Sequence, residues 1–121
     1  MLEKLRQRVN DNVWLVHRGR YLDTTFLVEV TPAVFLVRIH AGSIESVQPG
    51  PFVMPRWTFA LRASADTWNK FWQPNPPRGF HDLIAMLKFR TLTIEGDQYP
   101  FMSNLLYFKD VMSSLRGNAN E

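Results

Sequence analysis

The chain has 121 residues, a formal net charge of +3, and 45% hydrophobic and 13% aromatic residues. This length supplies one hydrophobic core and excludes a second, so we expect a single domain over residues 1–121. The absence of cysteine excludes disulfides, thiol catalysis and thiolate metal sites. The start of the chain has no signal-peptide pattern and no apolar run reaches membrane-spanning length, which favours a soluble cytoplasmic protein.

The first half of the chain is predicted to form strands after a short N-terminal helix. Apolar residues alternate with polar ones, or form short runs, in five segments between breakers: 13–16, 26–30, 35–40, 44–48 and 57–62. Short strands separated in this way by glycine and proline are typical of an antiparallel meander with one covered face. The five segments therefore predict most of a single sheet.

At Ser64 the spacing of apolar residues changes from the alternation typical of strands to the spacing typical of helices. Ser64 itself is a candidate N-cap. The helix that follows carries Trp68, Phe71 and Trp72 on one face, and Pro74 ends it. After a proline-rich connection, a second helix is predicted from an i, i+3, i+4, i+7 spacing of apolar residues: Phe80, Leu83, Ile84 and Leu87.

A strand over 91–95 and a long helix over about 98–116 complete the predicted elements, with Gly117 as the helix stop and 118–121 as a fraying tail. Gly96 suits a tight corner between strand and helix, and Asp97 can cap the helix. The helix is apolar over most of its circumference, so it either packs on several sides or lines an apolar cavity.

This order of elements predicts an α+β fold with two layers. Its sheet is expected to have five or six mainly antiparallel strands, and its helices are expected to cover one face of that sheet.

Two segments resemble the lipid-binding domains of the sterol carrier protein 2 (SCP2) family, in its stand-alone bacterial form. Residues 59–68 are similar to the family's strand that leads into a helix with a large apolar residue. Residues 92–97, with the apolar side chains of the next helix, resemble its final strand, glycine corner and C-terminal helix. The resemblance implies a sheet and helices around an apolar tunnel. Such a tunnel takes lipids, fatty acyl chains or acyl-CoA, and the stand-alone members include accessory factors that hold apolar quinone precursors.

Carried onto this chain, the resemblance implies a set of apolar ligand contacts on the predicted helices: Trp68, Phe71, Trp72, Leu83, Ile84, Leu87, Phe101, Met102, Leu105 and Leu106. We expect a basic side chain at the mouth, Arg78 or Lys88, to meet an anionic head group. The expected ligand is an apolar small molecule, and the resemblance implies no cofactor, metal or catalytic residue. Membrane contact would be at most transient. Both a monomer and a homodimer fit this interpretation.

The aromatic side chains also fit a second hypothesis. If they fill the tunnel instead of lining it, the same fold would serve as a protein-interaction or dimerisation module without a lipid ligand.

An enzyme and a nucleic-acid-binding protein are less favoured. The three histidines, His17, His40 and His81, have no metal-ligand spacing with one another or with carboxylates, and no phosphate loop or nucleophile motif occurs. Basic and aromatic residues interleave around Trp57, but a net charge of +3 offers few phosphate contacts.

Overall fold

The computed structural model describes residues 2–52 and 56–116. The chain begins with a 3-10 helix over Leu2–Lys4. Within these two ranges the sheet has five strands: β1 (Thr24–Thr31), β2 (Ala33–His40), β3 (Ser43–Pro49), β4 (Phe59–Ser64) and β5 (Thr93–Gly96). The same described residues form six α-helices: α1 (Leu5–Asn10), α2 (Val13–Arg18), α3 (Ala65–Phe71), α4 (Leu83–Lys88), α5 (Tyr99–Ser103) and α6 (Leu105–Ser113). The predicted helix stop Gly117 and the predicted tail 118–121 lie outside the described residues.

The sheet is mixed, with strand order β3-β2-β1-β4-β5. Three of its four pairings are antiparallel, and the central pair, β1 with β4, is parallel, with Val28 opposite Leu61. The predicted meander therefore covers only β1 to β3. The next strand, β4, lies on the other side of β1. The α+β fold predicted from the sequence is confirmed.

The strand predicted over 13–16 is wrong, because this segment belongs to α2. The Asn12 side chain accepts a hydrogen bond from the backbone N–H of Leu15 at 3.2 Å and so caps the helix. Leu15 is buried whereas Val13 and Trp14 are exposed, a pattern that fits a helix packed along one narrow stripe. A short apolar run does not by itself distinguish a strand from a helix.

The cap predicted at Ser64 is confirmed, whereas α4 begins at Leu83, three residues after Phe80, the first residue of the predicted apolar spacing. Ser64 Oγ accepts the backbone N–H of Thr67 at 3.1 Å at the start of α3. Asp82 Oδ1 accepts the backbone N–H of Ala85 at 2.8 Å at the start of α4. These side chains satisfy N–H groups that have no partner within the helix.

The long helix predicted over 98–116 is divided into α5 and α6 at Asn104, whose backbone has φ −123° and ψ 35°. The corner before α5 is as predicted: Gly96 has a φ of +88°, and Asp97 Oδ1 accepts the backbone N–H of Tyr99 at 3.1 Å. Asn104 Nδ2 donates to the carbonyl of Pro100 at 3.0 Å, so its side chain bonds the backbone at the break.

The hydrophobic core contains side chains from one face of the sheet and from the helices: among others Phe26, Val28, Val37, Phe59, Leu61, Trp68, Phe71, Phe101, Phe108 and Met112. The opposite face carries charged side chains. There the guanidinium of Arg62 donates to Glu29 on β1 and to Glu95 on β5, each at 2.9 Å. This network links the three strands β1, β4 and β5 on the side away from the core.

A tight contact joins the turn after β2 to α2 and α6. Gly42 has a φ of +82°, and a Cβ atom at this position would lie 2.3 Å from the backbone oxygen of Val16. The hydroxyl of Tyr107 donates to the carbonyl of Gly42 at 2.6 Å, and the Tyr107 ring packs on Gly19. Burial raises the pKa of Tyr107 above its ordinary value of 10.0, because the phenolate would lose hydration.

This buried hydroxyl predicts a stability loss at high pH. Above pH 10.0 the unfolded chain releases the Tyr107 proton whereas the folded protein retains it, so the unfolded state binds fewer protons and stability falls as pH rises. We expect the stability difference between the wild type and Tyr107→Phe to shrink by about 1.4 kcal/mol per pH unit above that point. Urea unfolding of both proteins across this range measures it, and a constant difference would contradict the prediction.

Candidate functional site

Five of the predicted ligand contacts are buried: Trp68, Phe71, Trp72, Leu83 and Phe101. The two tryptophans stack with their ring centroids 5.3 Å apart. Trp68 Nε1 donates to the carbonyl of Glu29 at 2.8 Å, and Trp72 Nε1 donates to the carbonyl of Met112 at 3.0 Å. Both indole N–H groups therefore have backbone partners, as buried tryptophans usually do.

Aromatic rings occupy the space between the sheet and the last two helices. Phe26 of β1 and Phe59 of β4 stack with centroids 5.1 Å apart. Phe108 of α6 packs edge-on against both, at 5.5 Å and 5.2 Å, and Phe101 of α5 lies 5.6 Å from Phe59 and from Phe108. We call these four residues the phenylalanine cluster. Its rings are in direct contact beneath α5 and α6.

A groove of about 400 Å³ lies at the break between α5 and α6. It brings together three of the predicted contacts, Met102, Leu105 and Leu106, and adds residues that the sequence did not suggest: Arg18, Ser103, Asn104 and Tyr107. Met102 is 52% exposed and Leu106 is 68% exposed, whereas Leu105 is half-buried. We call this concave surface, which includes Asn104 between the two helices, the helix-break groove.

The charge at the helix-break groove comes from Arg18. Its guanidinium forms an ion pair with Asp110 of α6, and both side chains are about half exposed. A surface pair of this kind contributes little to stability, so the guanidinium can exchange partners at low energy. The sequence does not indicate Arg18 as a site residue, because residues 13–16 have the pattern of a strand. A strand at this position would not place Arg18 beside α6.

The other predicted residues lie elsewhere. Arg78 lines a second pocket of about 340 Å³ together with Gly79, Phe80, Phe89 and Thr91. Lys88 is exposed and lines neither this pocket nor the helix-break groove, and Ile84 and Leu87 are half-buried on α4. The structure therefore divides the predicted site into a buried group, a groove at α5 and α6, and a separate pocket beside Arg78.

The described side chains include no cluster of three or more histidine, aspartate or glutamate residues that could hold a metal ion. Among the described helices, none has the length and apolar character needed to cross a membrane.

Comparisons with known proteins identify the fold. No protein-family model matches the chain, and no curated protein sequence matches it. A crystal structure of sterol carrier protein 2 matches with a TM-score of 0.76 and 11% sequence identity, over 95% of this chain and 92% of that chain. At this identity the likeness shows the fold.

Two further solved structures are also similar to this chain. A conserved hypothetical protein from Thermus thermophilus matches with a TM-score of 0.66 and 10% identity, over 97% of this chain and 87% of that one. A ubiquinone synthesis protein, UbiJ-SCP2, matches with a TM-score of 0.60 and 16% identity, over 98% of this chain and 90% of that one. The resemblance to the SCP2 domains, read from residues 59–68 and 92–97, is confirmed at the level of the fold.

Proposed function

We propose that this domain, which has the SCP2 fold, is a non-enzymatic carrier that binds an elongated apolar molecule: a lipid, a fatty acyl chain, an acyl-CoA or a quinone precursor. The observation that carries the proposal is the helix-break groove, where Met102 and Leu106 are exposed beside the half-buried Leu105. Apolar side chains that line a concave surface favour an apolar ligand, because its binding removes them from water.

In this proposal the ligand first contacts Met102, Leu105 and Leu106. Phe101 lies one residue before Met102 in α5 and belongs to the phenylalanine cluster, so a chain that passes Leu105 would meet its ring. The remaining predicted contacts are buried in the core or, for Ile84 and Leu87, half-buried on α4. A continuous tunnel to them requires α5 and α6 to move away from the sheet.

Arg18 lines the helix-break groove and would attract an anionic head group there. Arg78 would contact the head group of a ligand that occupies the second pocket, beside Phe80 and Phe89. Lys88 is exposed near the end of α4 and would act only on a ligand that extends beyond that pocket. The three basic side chains therefore correspond to three alternative positions of the head group. Substitution of each side chain in turn would distinguish these positions.

Tryptophan substitutions in the groove test the proposal. We expect Met102→Trp and Leu105→Trp to weaken binding of dansylated undecanoic acid at least tenfold, because a larger side chain fills the groove while the ring cluster beneath is unchanged. Fluorescence titration measures the affinity, and circular dichroism checks the fold. Tyr99→Trp is the matched control, since Tyr99 is an exposed residue of α5 that does not line the groove. Equal binding by all three variants would contradict the site.

The phenylalanine cluster supports a second candidate, the interaction or dimerisation module with a filled core. Its rings contact one another at centroid distances of 5.1–5.6 Å, and both buried tryptophans have hydrogen-bond partners. Mass spectrometry of the purified protein, native and then denatured, separates the two candidates. A released apolar molecule would support the carrier. An empty protein that also fails to bind the dansyl probe and sediments as a dimer would support the module.

A further inference from the structure

A third pocket lies at the start of β1, away from the helix-break groove. It has a volume of about 420 Å³ and is lined by residues from β1, β2 and the segment before β4: Asp23, Thr24, Thr25, Arg38, Arg56, Trp57 and Thr58. The backbone N–H of Thr58 donates to the carbonyl of Thr25 at 2.7 Å, which fixes this segment beside β1. The volume is within the range of pockets that bind small molecules.

Two guanidinium groups line this pocket. Arg56 is exposed, and no hydrogen bond or ion pair engages it within the part of the chain that the structure describes. Arg38 contacts Glu45 with Nε 3.4 Å from Oε2, and its Nη1 lies 3.3 Å from the hydroxyl of Thr25. Both contacts are longer than typical hydrogen bonds of charged groups, so Arg38 can still donate to a ligand.

The carboxylate in the pocket is already engaged. Asp23 Oδ1 lies 2.9 Å from Nδ1 of His40 and accepts the backbone N–H of Ala41 at 2.9 Å. Both partners belong to the end of β2 and the turn that follows. The lining has two guanidinium groups and one carboxylate, and Oδ1 of that carboxylate already has two partners outside the pocket.

A threonine hydroxyl and an indole ring complete the lining. Thr25 is half-buried on β1, and its hydroxyl lies 3.3 Å from Nη1 of Arg38. Successive side chains of a strand point to opposite faces of the sheet, so the hydroxyl of Thr24 is buried on the core side of β1. The Trp57 ring is half-buried and offers one apolar surface for a flat group.

We propose that this pocket binds a small phosphate monoester whose substituent is a flat ring. In this arrangement Arg56 and Arg38 donate to the phosphate oxygens, the Thr25 hydroxyl adds a further hydrogen bond, and the ring of the ligand packs on Trp57. Guanidinium groups suit phosphate because they present several N–H donors in one plane. The proposal does not rest on lipid binding, because the two sites share no lining residue.

Phenyl phosphate is the probe, and isothermal titration calorimetry at low ionic strength measures its affinity. We expect a dissociation constant in the millimolar range or below for the wild type, and a loss of about tenfold or more in Arg56→Gln and in Arg38→Gln. Arg6→Gln is the matched control: it removes the same charge from the exposed face of α1, which does not line the pocket. This control is expected to keep the wild-type affinity.

Phenol and benzoate test the chemistry of the ligand. We expect no measurable binding of phenol, and binding of benzoate that is several times weaker, since a carboxylate carries less charge and fewer acceptor oxygens than a phosphate. Absence of phenyl phosphate binding would overturn the proposal. So would equal weakening in Arg56→Gln and Arg6→Gln, or benzoate binding as tight as that of phenyl phosphate.

Discussion

Replacing Phe108 with alanine is expected to lower the free energy of unfolding by about 3–5 kcal/mol. The ring is fully buried and contacts four other aromatic rings, those of Phe26, Phe59, Phe101 and Tyr107, at centroid distances of 5.2–5.6 Å. Removing it leaves a cavity that rigid neighbours from both layers of the domain cannot fill by small movements. Equilibrium unfolding in urea, followed by circular dichroism, measures the loss.

Two substitutions on the same helix serve as controls. Phe108→Leu preserves much of the buried apolar volume and is expected to lower stability by less than about 1.5 kcal/mol. Leu106→Ala removes a side chain that is 68% exposed, so its effect should stay within about 0.5 kcal/mol. If Phe108→Ala and Leu106→Ala were equally stable, the phenylalanine cluster would not be the tightly packed centre of the domain.

Gly42→Ala is expected to be the second large loss, about 3 kcal/mol or more. A left-handed backbone conformation accounts for about 1–2 kcal/mol with any L side chain, and Gly42 has a φ of +82°. The added Cβ atom would also lie 2.3 Å from the backbone oxygen of Val16 and 2.7 Å from the backbone carbon of Gly19. Because these are backbone atoms, relief requires α2 to move, which also disturbs the bond from Tyr107 to Gly42.

Gly79→Ala separates the conformational contribution from the steric contribution. Gly79 has a similar φ of +89°, but the nearest atoms to an added Cβ belong to the Phe89 ring, at 3.3 Å and 3.5 Å. Phe89 is largely exposed and its ring can shift, so we expect only the conformational loss of about 1–2 kcal/mol. Thermal unfolding of both variants gives the comparison. Equal losses at the two glycines would contradict the close packing of α2 on the turn after β2.

Elements with a strong local signal were predictable from the sequence. The cap at Ser64 and the glycine corner at Gly96 are encoded by single residues whose chemistry is specific, and both are confirmed. The segment 13–16 was not predictable in this way, because its four apolar residues suit a strand and a helix equally. The parallel position of β4 beside β1 depends on contacts 33 residues apart and leaves no local pattern.

The candidate site was predictable only in part. The resemblance to the SCP2 domains implied ligand contacts on the last helix, and these stay a prediction, but it could not show that the helix breaks at Asn104. In the structure Met102 and Leu106 are exposed while Phe101 and Phe108 are buried. Arg18 reaches the groove only through the packing of α2 against α6. Burial depends on which side chains face one another after folding, and periodicity along one element carries no such information.

The parallel central pair has a consequence for the folding of the chain. β2 follows β1 through a tight turn, so one edge of the central strand can pair early, whereas β4 joins only after a loop of more than thirty residues closes. Until then, the second edge of β1 presents unpaired backbone groups between Phe26 and Thr31. Glu29 lies in the middle of that edge. A negative charge there disfavours pairing with the same strand of another molecule, and it later becomes a partner of Arg62 when β4 arrives.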